Sequence, residues 1–179
     1  MRYDSIADIY TANARVRERF LEVVNSISPD EANALSQDEK WTIGQIVEHV
    51  SIVENSMLRI CTKLTAAARE SGQPSDGSFQ MSDAFKQAFY GAAGTKIEAP
   101  ERVHPTGEVQ IPDALAGMTA TSAAIDDLRD ELTSFDGSGH TFPHPHFGAL
   151  TAAEWLVVRG GHENRHTDQI QRIVEKLRK

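Results

Sequence analysis

The chain is poor in cysteine and lacks any concentration of positive charge. Cys61 is the single cysteine among 179 residues, which excludes an internal disulfide and a cysteine-based metal cage. The net charge is −8 and no cluster of lysine or arginine stands out, so a nucleic-acid partner is not expected. Cys61 falls on the apolar side of its predicted helix, and we expect it to be a buried thiol.

Long apolar runs are also missing. The first five residues are polar and lead directly into an amphipathic segment, so neither a signal peptide nor a membrane-spanning segment is expected. The interpretation is a cytoplasmic protein with no membrane partner. Apolar residues make up 40% and charged residues 25%, as in ordinary globular proteins. We expect one domain over residues 1–179, long enough to bury its own core.

No segment shows a convincing strand pattern, whereas four segments show the spacing of amphipathic helices. The predicted helices run from about Ser5 to Ile27, from Thr42 through Leu64, from Pro112 to Phe135, and from Thr151 through Leu177. The second and fourth each open with a capping box, a threonine followed three residues later by glutamine or glutamate. The sequence therefore predicts an all-α four-helix bundle.

Between the second and third helices the helical pattern breaks over residues 71–108, which are rich in glycine and proline. One short helix is predicted there, from Ser82 to Tyr90. A connection of this length is expected to be a lid over a functional site, a crossover along the bundle, or both. A second irregular stretch, residues 140–148, is a loop of histidine, proline and phenylalanine that leads into the last helix.

Two histidines interrupt the apolar stripe of the last helix. His162 and His166 are four residues apart, so both point inward, one turn from each other. Burying two imidazoles without a common task is costly, which favours a divalent metal site over two unrelated core histidines. Gly160 and Gly161 precede them, although each costs about 1 kcal/mol inside a helix. This pair indicates a bend or a close backbone approach.

A third histidine, His49, lies at the edge of the stripe of the second helix and can also reach inward. Three neutral imidazoles with open positions are typical of catalytic divalent sites, and zinc, nickel and ferrous iron all accept such ligands. The metal would activate bound water or a bound thiol. Glu48 and Glu54, on other faces of the same helix, are expected to be solvated.

The segment from His162 to His166 also matches the H-E-x-x-H pattern of zinc metalloproteases, in which the glutamate is the general base. The extended form of that pattern needs glycine at 169 and histidine at 172, but Gln169 and Arg172 stand there. A protease is therefore disfavoured. Glu163 stays a candidate catalytic base or acceptor for metal-bound water, with a solvent-facing charge as the alternative.

Further polar residues are candidates around this site. Gln169 and Asp168 are placed to orient the imidazoles through their second nitrogens, and Gln169 is nearer the inward face. Asn13 lies in the apolar seam of the first helix, where it would contact the site or substrate, or make a register-fixing hydrogen bond. His144 and His146 would line the mouth of the site or supply a ligand, unless they are surface histidines.

Two of these segments resemble a known family. Residues 41–49 resemble the start of the second helix in the DinB-like (DinB/YfiT) superfamily, and residues 147–170 resemble its last helix. The resemblance implies a four-helix bundle with a long crossover between helices two and three, a divalent metal held by His49, His162 and His166, and often a homodimer. Characterised relatives include thiol-dependent S-transferases and isomerases that use mycothiol, bacillithiol or glutathione.

Three functions follow as hypotheses. The first is a metal-dependent transferase that acts on a small-molecule substrate with a low-molecular-weight thiol. The second is a hydrolase with metal-bound hydroxide, in which Glu163 or a loop histidine is the base. The third is a non-catalytic bundle that binds metal for stability or in a stress response.

Overall fold

The computed structural model describes residues 3–92, 94–95 and 98–179. The long helices in this part of the chain are α1 (Ile6–Asn25), α3 (Ile43–Ser71), α5 (Ile111–Asp126) and α7 (Ala152–Leu177). Three shorter helices accompany them: α2 (Pro29–Asn33), α4 (Asp83–Gly91) and α6 (Arg129–Ser134). A 3-10 turn covers Glu101–Val103, and two short strands, β1 (Phe142–His144) and β2 (Gly148–Leu150), precede α7. The prediction of an all-α four-helix bundle is confirmed.

Capping boxes fix where α3 and α7 begin. The Thr42 hydroxyl accepts from the Gln45 backbone N–H, and the Gln45 side-chain Oε1 accepts from the Thr42 backbone N–H. Thr151 and Glu154 form the same pair at the start of α7. Each box satisfies backbone N–H groups that a helix start leaves unpaired. The predicted starts of these two helices are confirmed, and they set the phase of the histidines that follow.

The helices pack in the order α1, α7, α3 and α5, with α7 against both α1 and α3. Their apolar faces form two separate cores. One core contains the first half of α7 and the second half of α3, and the other contains the second half of α7 and the first half of α3. Between the two lies a layer of charged side chains. Glu54, Arg159 and Glu163 are buried, and Arg17 is mostly buried, with 14% of its side chain exposed.

The third predicted helix is divided. The sequence pattern predicted one helix from Pro112 to Phe135, but the structure has α5 and α6 with a turn between them. The Ile125 carbonyl accepts from the Leu128 N–H at 3.1 Å and from the Tyr10 hydroxyl at 2.8 Å. This carbonyl is thereby turned away from regular helical bonding. The prediction of one continuous helix was wrong. The break lies where Tyr10, more than a hundred residues away in the sequence, donates to α5, and a local pattern carries no signal of that contact.

The expectation of no strand was also wrong for one segment. The loop predicted over residues 140–148 contains an antiparallel pair, β1 and β2, in the register Phe142 with Leu150 and His144 with Gly148. Gly148 has φ +79°, a left-handed conformation that glycine adopts without a steric penalty. Each strand has only three residues, which is too short for an alternating apolar and polar pattern to be recognised in the sequence.

In the part of the chain that the structure describes, every helix is too short or too polar to cross a membrane.

Candidate metal centre

Three histidines from two helices meet on one side of the bundle. His49 comes from α3, and His162 and His166 from successive turns of α7. One nitrogen from each ring lies within 4.8 Å of one nitrogen from each of the others. The ring centroids of His162 and His166 are 4.5 Å apart. The centroid of His49 lies 5.1 Å from that of His162 and 5.0 Å from that of His166. The structure therefore brings together the three candidate ligands.

The tautomer of His49 follows from its outer hydrogen bond. Its Nδ1 lies 2.7 Å from the Val103 carbonyl oxygen, in the 3-10 turn. A backbone carbonyl only accepts, so Nδ1 carries the proton and Nε2 presents a lone pair. That Nε2 faces the other two histidines and is in the form that binds a metal.

The tautomer of His166 follows from a chain of two hydrogen bonds. Gln169 Nε2 donates to Glu39 Oε2 at 2.7 Å, and Gln169 Oε1 lies 2.8 Å from His166 Nδ1. The carboxylate only accepts, which orients the amide so that its oxygen faces the imidazole. His166 Nδ1 therefore donates, and its Nε2 is free to bind a metal. Metal-ligating histidines commonly have an outer partner of this kind.

Among the residues that the structure describes, His162 has no such outer partner. Its Nδ1 is buried, and no described residue forms a hydrogen bond with it. Its Nε2 lies 3.2 Å from Nε2 of His49. Two nitrogens bound at about 2.1 Å to one tetrahedral ion lie about 3.4 Å apart, so this spacing fits a shared divalent cation. The donor set of three imidazoles fits the metal that the sequence predicts.

Burial lowers the pKa of all three rings and so favours their neutral form. It lowers the pKa of His49, against the opposing effect of the hydrogen bond to Val103. It lowers the pKa of His162 well below its usual value, with further lowering by His166 and His49. It lowers the pKa of His166 to about 4, with His49 adding to the effect. Neutral imidazole is the form that coordinates metal, so the site is ready to bind near neutral pH.

The crossover lies over this cluster and is fastened to α3 by a buried glutamate. The Glu48 carboxylate accepts from the Thr106 N–H and hydroxyl at 2.9 and 2.7 Å and from the Gly107 N–H at 2.8 Å. Residues 99–110, called the strap here, also carry Val103. The expectation of a solvated Glu48 was wrong, since the side chain is 1% exposed. Sequence reasoning missed Val103, because a backbone carbonyl has no sequence signal.

Glu163 lies in the charged layer between the two cores. Its Oε1 accepts from Arg17 Nε at 2.6 Å, and the same arginine donates to Glu54 at 2.5 and 2.6 Å. Burial, and then the charge of Glu54, raises the pKa of Glu163. The solvent-facing alternatives for Glu163 and Glu54 were wrong, because the residues are 0% and 1% exposed. The hydrogen bonds described for the Glu163 side chain are both with Arg17.

The glycine pair before His162 permits two close approaches. A Cβ at Gly160 would collide with Oδ1 of Asn13, and a Cβ at Gly161 would lie 2.7 Å from Phe89 Cζ on α4. Asn13 is buried and donates to the Leu156 carbonyl at 3.0 Å. A hydrogen bond of this kind is one of the two roles that the sequence left open for Asn13, and its effect on helix register stays a prediction. The close backbone approach expected at the glycines is present.

The remaining candidates lie outside the three-histidine cluster. The His144 ring stacks on Phe147 with centroids 4.5 Å apart, and its Nδ1 accepts from the His146 N–H at 3.1 Å. Burial lowers the pKa of His144 to about 4, so it too is neutral. Among the described residues, the mutually close ligand atoms do not include either loop histidine. Asp168 pairs with Arg19 at 2.6 Å on the surface, so it does not orient an imidazole.

The fold and the histidine cluster together describe a helical-bundle protein in which three imidazoles from two helices meet. The sequence profile of the DinB superfamily matches residues 12–170, and the chain belongs to that superfamily. It is 22% identical over 160 residues to the uncharacterized protein YuaE of Bacillus subtilis (strain 168), covering 86% of this chain and 90% of YuaE.

A solved structure supports the fold. The crystal structure of TT2238, a four-helix bundle protein, superposes with a TM-score of 0.61 at 21% sequence identity. The match covers 93% of this chain and 98% of TT2238. At this identity the likeness concerns the fold alone.

Proposed function

We propose that this protein is a divalent-metal-dependent enzyme whose metal is held by Nε2 of His49, His162 and His166. One observation carries the proposal. The two outer hydrogen bonds, to Val103 and Gln169, leave the ligand nitrogens of His49 and His166 unprotonated and directed at the same place. Without a cation, a proton on Nε2 of His162 would pair with the lone pair of His49 and leave that of His166 without a partner in a buried site, which is unfavourable.

The finer proposal is a thiol-dependent transferase that acts on a small electrophilic substrate. When bound, a zinc, nickel or ferrous ion would supply Lewis-acid chemistry and lower the pKa of a thiol or water. The three histidines leave positions open for such a group. The strap, through Val103 and the Glu48 anchor, would hold His49 in place and cover that side of the site. The ring of Phe89, packed on Gly161, would form an apolar wall next to His162.

The alternatives are a hydrolase and a non-catalytic metal-binding bundle. A hydrolase with Glu163 as base is disfavoured by the contacts of that carboxylate, because Arg17 occupies both of its oxygens at 2.6 and 3.2 Å. A general base needs a free oxygen within hydrogen-bond reach of the reacting proton. A hydrolase would then need another general base, and the loop histidine His144 would have to fill that role.

The test uses protein loaded with cobalt(II), whose visible spectrum reports its ligands. We expect glutathione, bacillithiol or mycothiol to change that spectrum, and the thiol that does so to support transfer to a small electrophile. The variant His49→Ala should lose the spectral response. His140→Ala, a change in the loop before β1, is the matched control and should keep it.

Two results would contradict the transferase. Hydrolysis of simple esters or amides without any thiol would favour the hydrolase. The non-catalytic bundle would be favoured if none of the three thiols changed the visible spectrum of the cobalt protein and if removal of the metal by a chelator greatly lowered its melting temperature.

A further inference from the structure

Two polar side chains from different loops meet beside the metal centre. Arg102 lies in the strap, next to Val103, whose carbonyl oxygen is 2.7 Å from Nδ1 of His49. His144 is the last residue of β1. Burial lowers the pKa of His144, and the charges of His146 and Arg102 lower it further. The strap and the β1–β2 loop are therefore close enough for these two side chains to act on each other electrostatically.

The His144 ring belongs to a row of aromatic side chains that ends at the metal centre. Its centroid is 4.5 Å from that of Phe147, and the two ring planes are 13° apart. The Phe147 centroid is 5.8 Å from that of Phe89, which packs on Gly161, the residue before His162. Burial, and to a smaller extent His144, lowers the pKa of His162. The row thus joins the β1–β2 loop to the rim of the metal centre.

One hydrogen bond fixes which nitrogen of His144 carries the proton. Nδ1 accepts from the His146 backbone N–H at 3.1 Å, so in the neutral ring the hydrogen is on Nε2. This Nε2 has no hydrogen-bond partner in the described part of the chain. It is also not among the buried atoms that lack a partner, and the ring is partly exposed, so solvent reaches it. His144 therefore presents an N–H donor that is open to a ligand.

The guanidinium of Arg102 is a second unpaired donor. The residue is exposed, and no acid of the described residues forms an ion pair with it, whereas Arg17 and Arg178 are both paired with glutamates. Arg165, between the two α7 histidines, also lacks an acidic partner and donates to the Thr95 carbonyl at 2.6 Å. The rim of the metal centre is thus positively charged, although the net charge of the chain is −8.

We propose that Arg102 and Nε2 of His144 together bind a carboxylate group of a substrate at the metal centre. A guanidinium presents a planar fork of N–H groups that matches the two oxygens of a carboxylate, and the neutral imidazole adds one more donor. One positive charge also suits a group with one negative charge. The inference rests on the proposed transferase function and adds the charge of its substrate. The carboxylate belongs to the thiol or to the electrophile, and two titrations distinguish these sources.

The first titration uses N-acetylalanine, which has a carboxylate but no thiol, and the full-length protein as purified. We expect it to shift the backbone amide signals of Arg102 and His144 in ¹⁵N NMR. N-ethylacetamide, the same molecule without the carboxylate, should shift neither signal. Absence of shifts with N-acetylalanine, or equal shifts with N-ethylacetamide, would overturn the proposal.

Two variants remove the donors one at a time. Arg102→Gln should weaken N-acetylalanine binding by about tenfold, because it removes charge-assisted hydrogen bonds. His144→Phe keeps a ring against Phe147 and loses one neutral donor, so we expect about threefold weaker binding. Arg59→Gln is the matched control, since Arg59 is exposed on α3 and has no ion pair with any described residue. Wild-type affinity in the folded Arg102→Gln variant, or an equal loss in Arg59→Gln, would overturn the proposal.

The second titration uses cobalt-loaded protein and two thiols that differ only in the carboxylate, N-acetylcysteine and N-acetylcysteamine. If the thiol supplies the carboxylate, N-acetylcysteine should change the visible spectrum at about tenfold lower concentration, and Arg102→Gln should abolish this preference. Equal responses to the two thiols, with N-acetylalanine bound as expected, would assign the carboxylate to the electrophile. A preference that persists in Arg102→Gln would overturn the role of Arg102. No response to either thiol would contradict the thiol-dependent transferase, and the N-acetylalanine titration would still decide whether the carboxylate is bound.

Discussion

The Asn13 side chain occupies the space that a Cβ at position 160 would need, and it donates to the Leu156 carbonyl at 3.0 Å. At this contact the Asn13 side chain of α1 lies directly against the backbone of α7. Gly160→Ala should therefore destabilise the protein by about 1–3 kcal/mol, because the clash displaces Asn13. In an unobstructed helix the same change would stabilise by about 1 kcal/mol. Urea unfolding measures the difference.

A double-mutant cycle separates this clash from a general effect at Gly160. In an Asn13→Ala background the obstruction is gone, and Gly160→Ala should then be neutral or stabilising. If Gly160→Ala stabilises the wild-type protein, or destabilises both backgrounds equally, the close approach does not explain the glycine.

The contribution of the buried charged layer to the free energy of unfolding should depend on Arg17. Arg17→Met leaves Glu54 and Glu163 buried with one arginine fewer, and removing one partner of a buried pair typically costs about 3–5 kcal/mol. Arg19→Met is the control, because Arg19 pairs with Asp168 at the surface, where such pairs contribute less than about 1 kcal/mol. Equal losses of unfolding free energy in the two variants would contradict the structural role of this layer.

Gln169 and Asp168 are neighbours with different predicted effects on metal binding. Gln169→Ala removes the group that orients His166, and losing such an outer partner typically lowers metal affinity by roughly 10- to 100-fold. Asp168→Ala should leave the affinity unchanged, because Asp168 pairs with Arg19. Competition with a chromophoric chelator measures both. Comparable losses in the two variants would argue against Gln169 as the orienting group.

Cys61 should be chemically inert in the folded protein. It is buried, and burial raises the pKa of its thiol to about 12. The thiolate is the reactive form, so a thiol reagent such as Ellman's reagent should modify it only after unfolding. Fast modification under native conditions would show that the thiol is accessible. That result would also reopen Cys61 as a nucleophile.

The helical parts of the fold were predictable because their signals are local. The capping boxes at Thr42 and Thr151 and the apolar stripes behind them depend on residues within a few turns of each other. The same local reasoning placed His162 and His166 on one face. The break between α5 and α6 had no signal in the apolar stripe, which continues through it, and the Tyr10 hydroxyl that bonds to α5 at this point comes from a distant part of the chain.

The surroundings of the site were less predictable than its candidate ligands. Glu48 and Glu54 appeared solvated because helix periodicity locates a residue relative to its own apolar stripe only. The strap and Arg17 make their positions buried, and both come from distant parts of the chain. The single-domain expectation and the homodimer stay predictions.

We propose that α3 and α7 share one metal ion, and the metal content of the purified protein tests this proposal. The measurement is elemental analysis of untagged protein beside His49→Ala, His162→Ala and the control His140→Ala. We expect near-stoichiometric metal in the wild type and the control, and loss of metal in both ligand variants. Full retention of metal by His49→Ala would contradict the three-histidine site and return attention to the H-E-x-x-H segment. Absence of metal from every sample, even after incubation with zinc or nickel, would contradict the metal centre altogether.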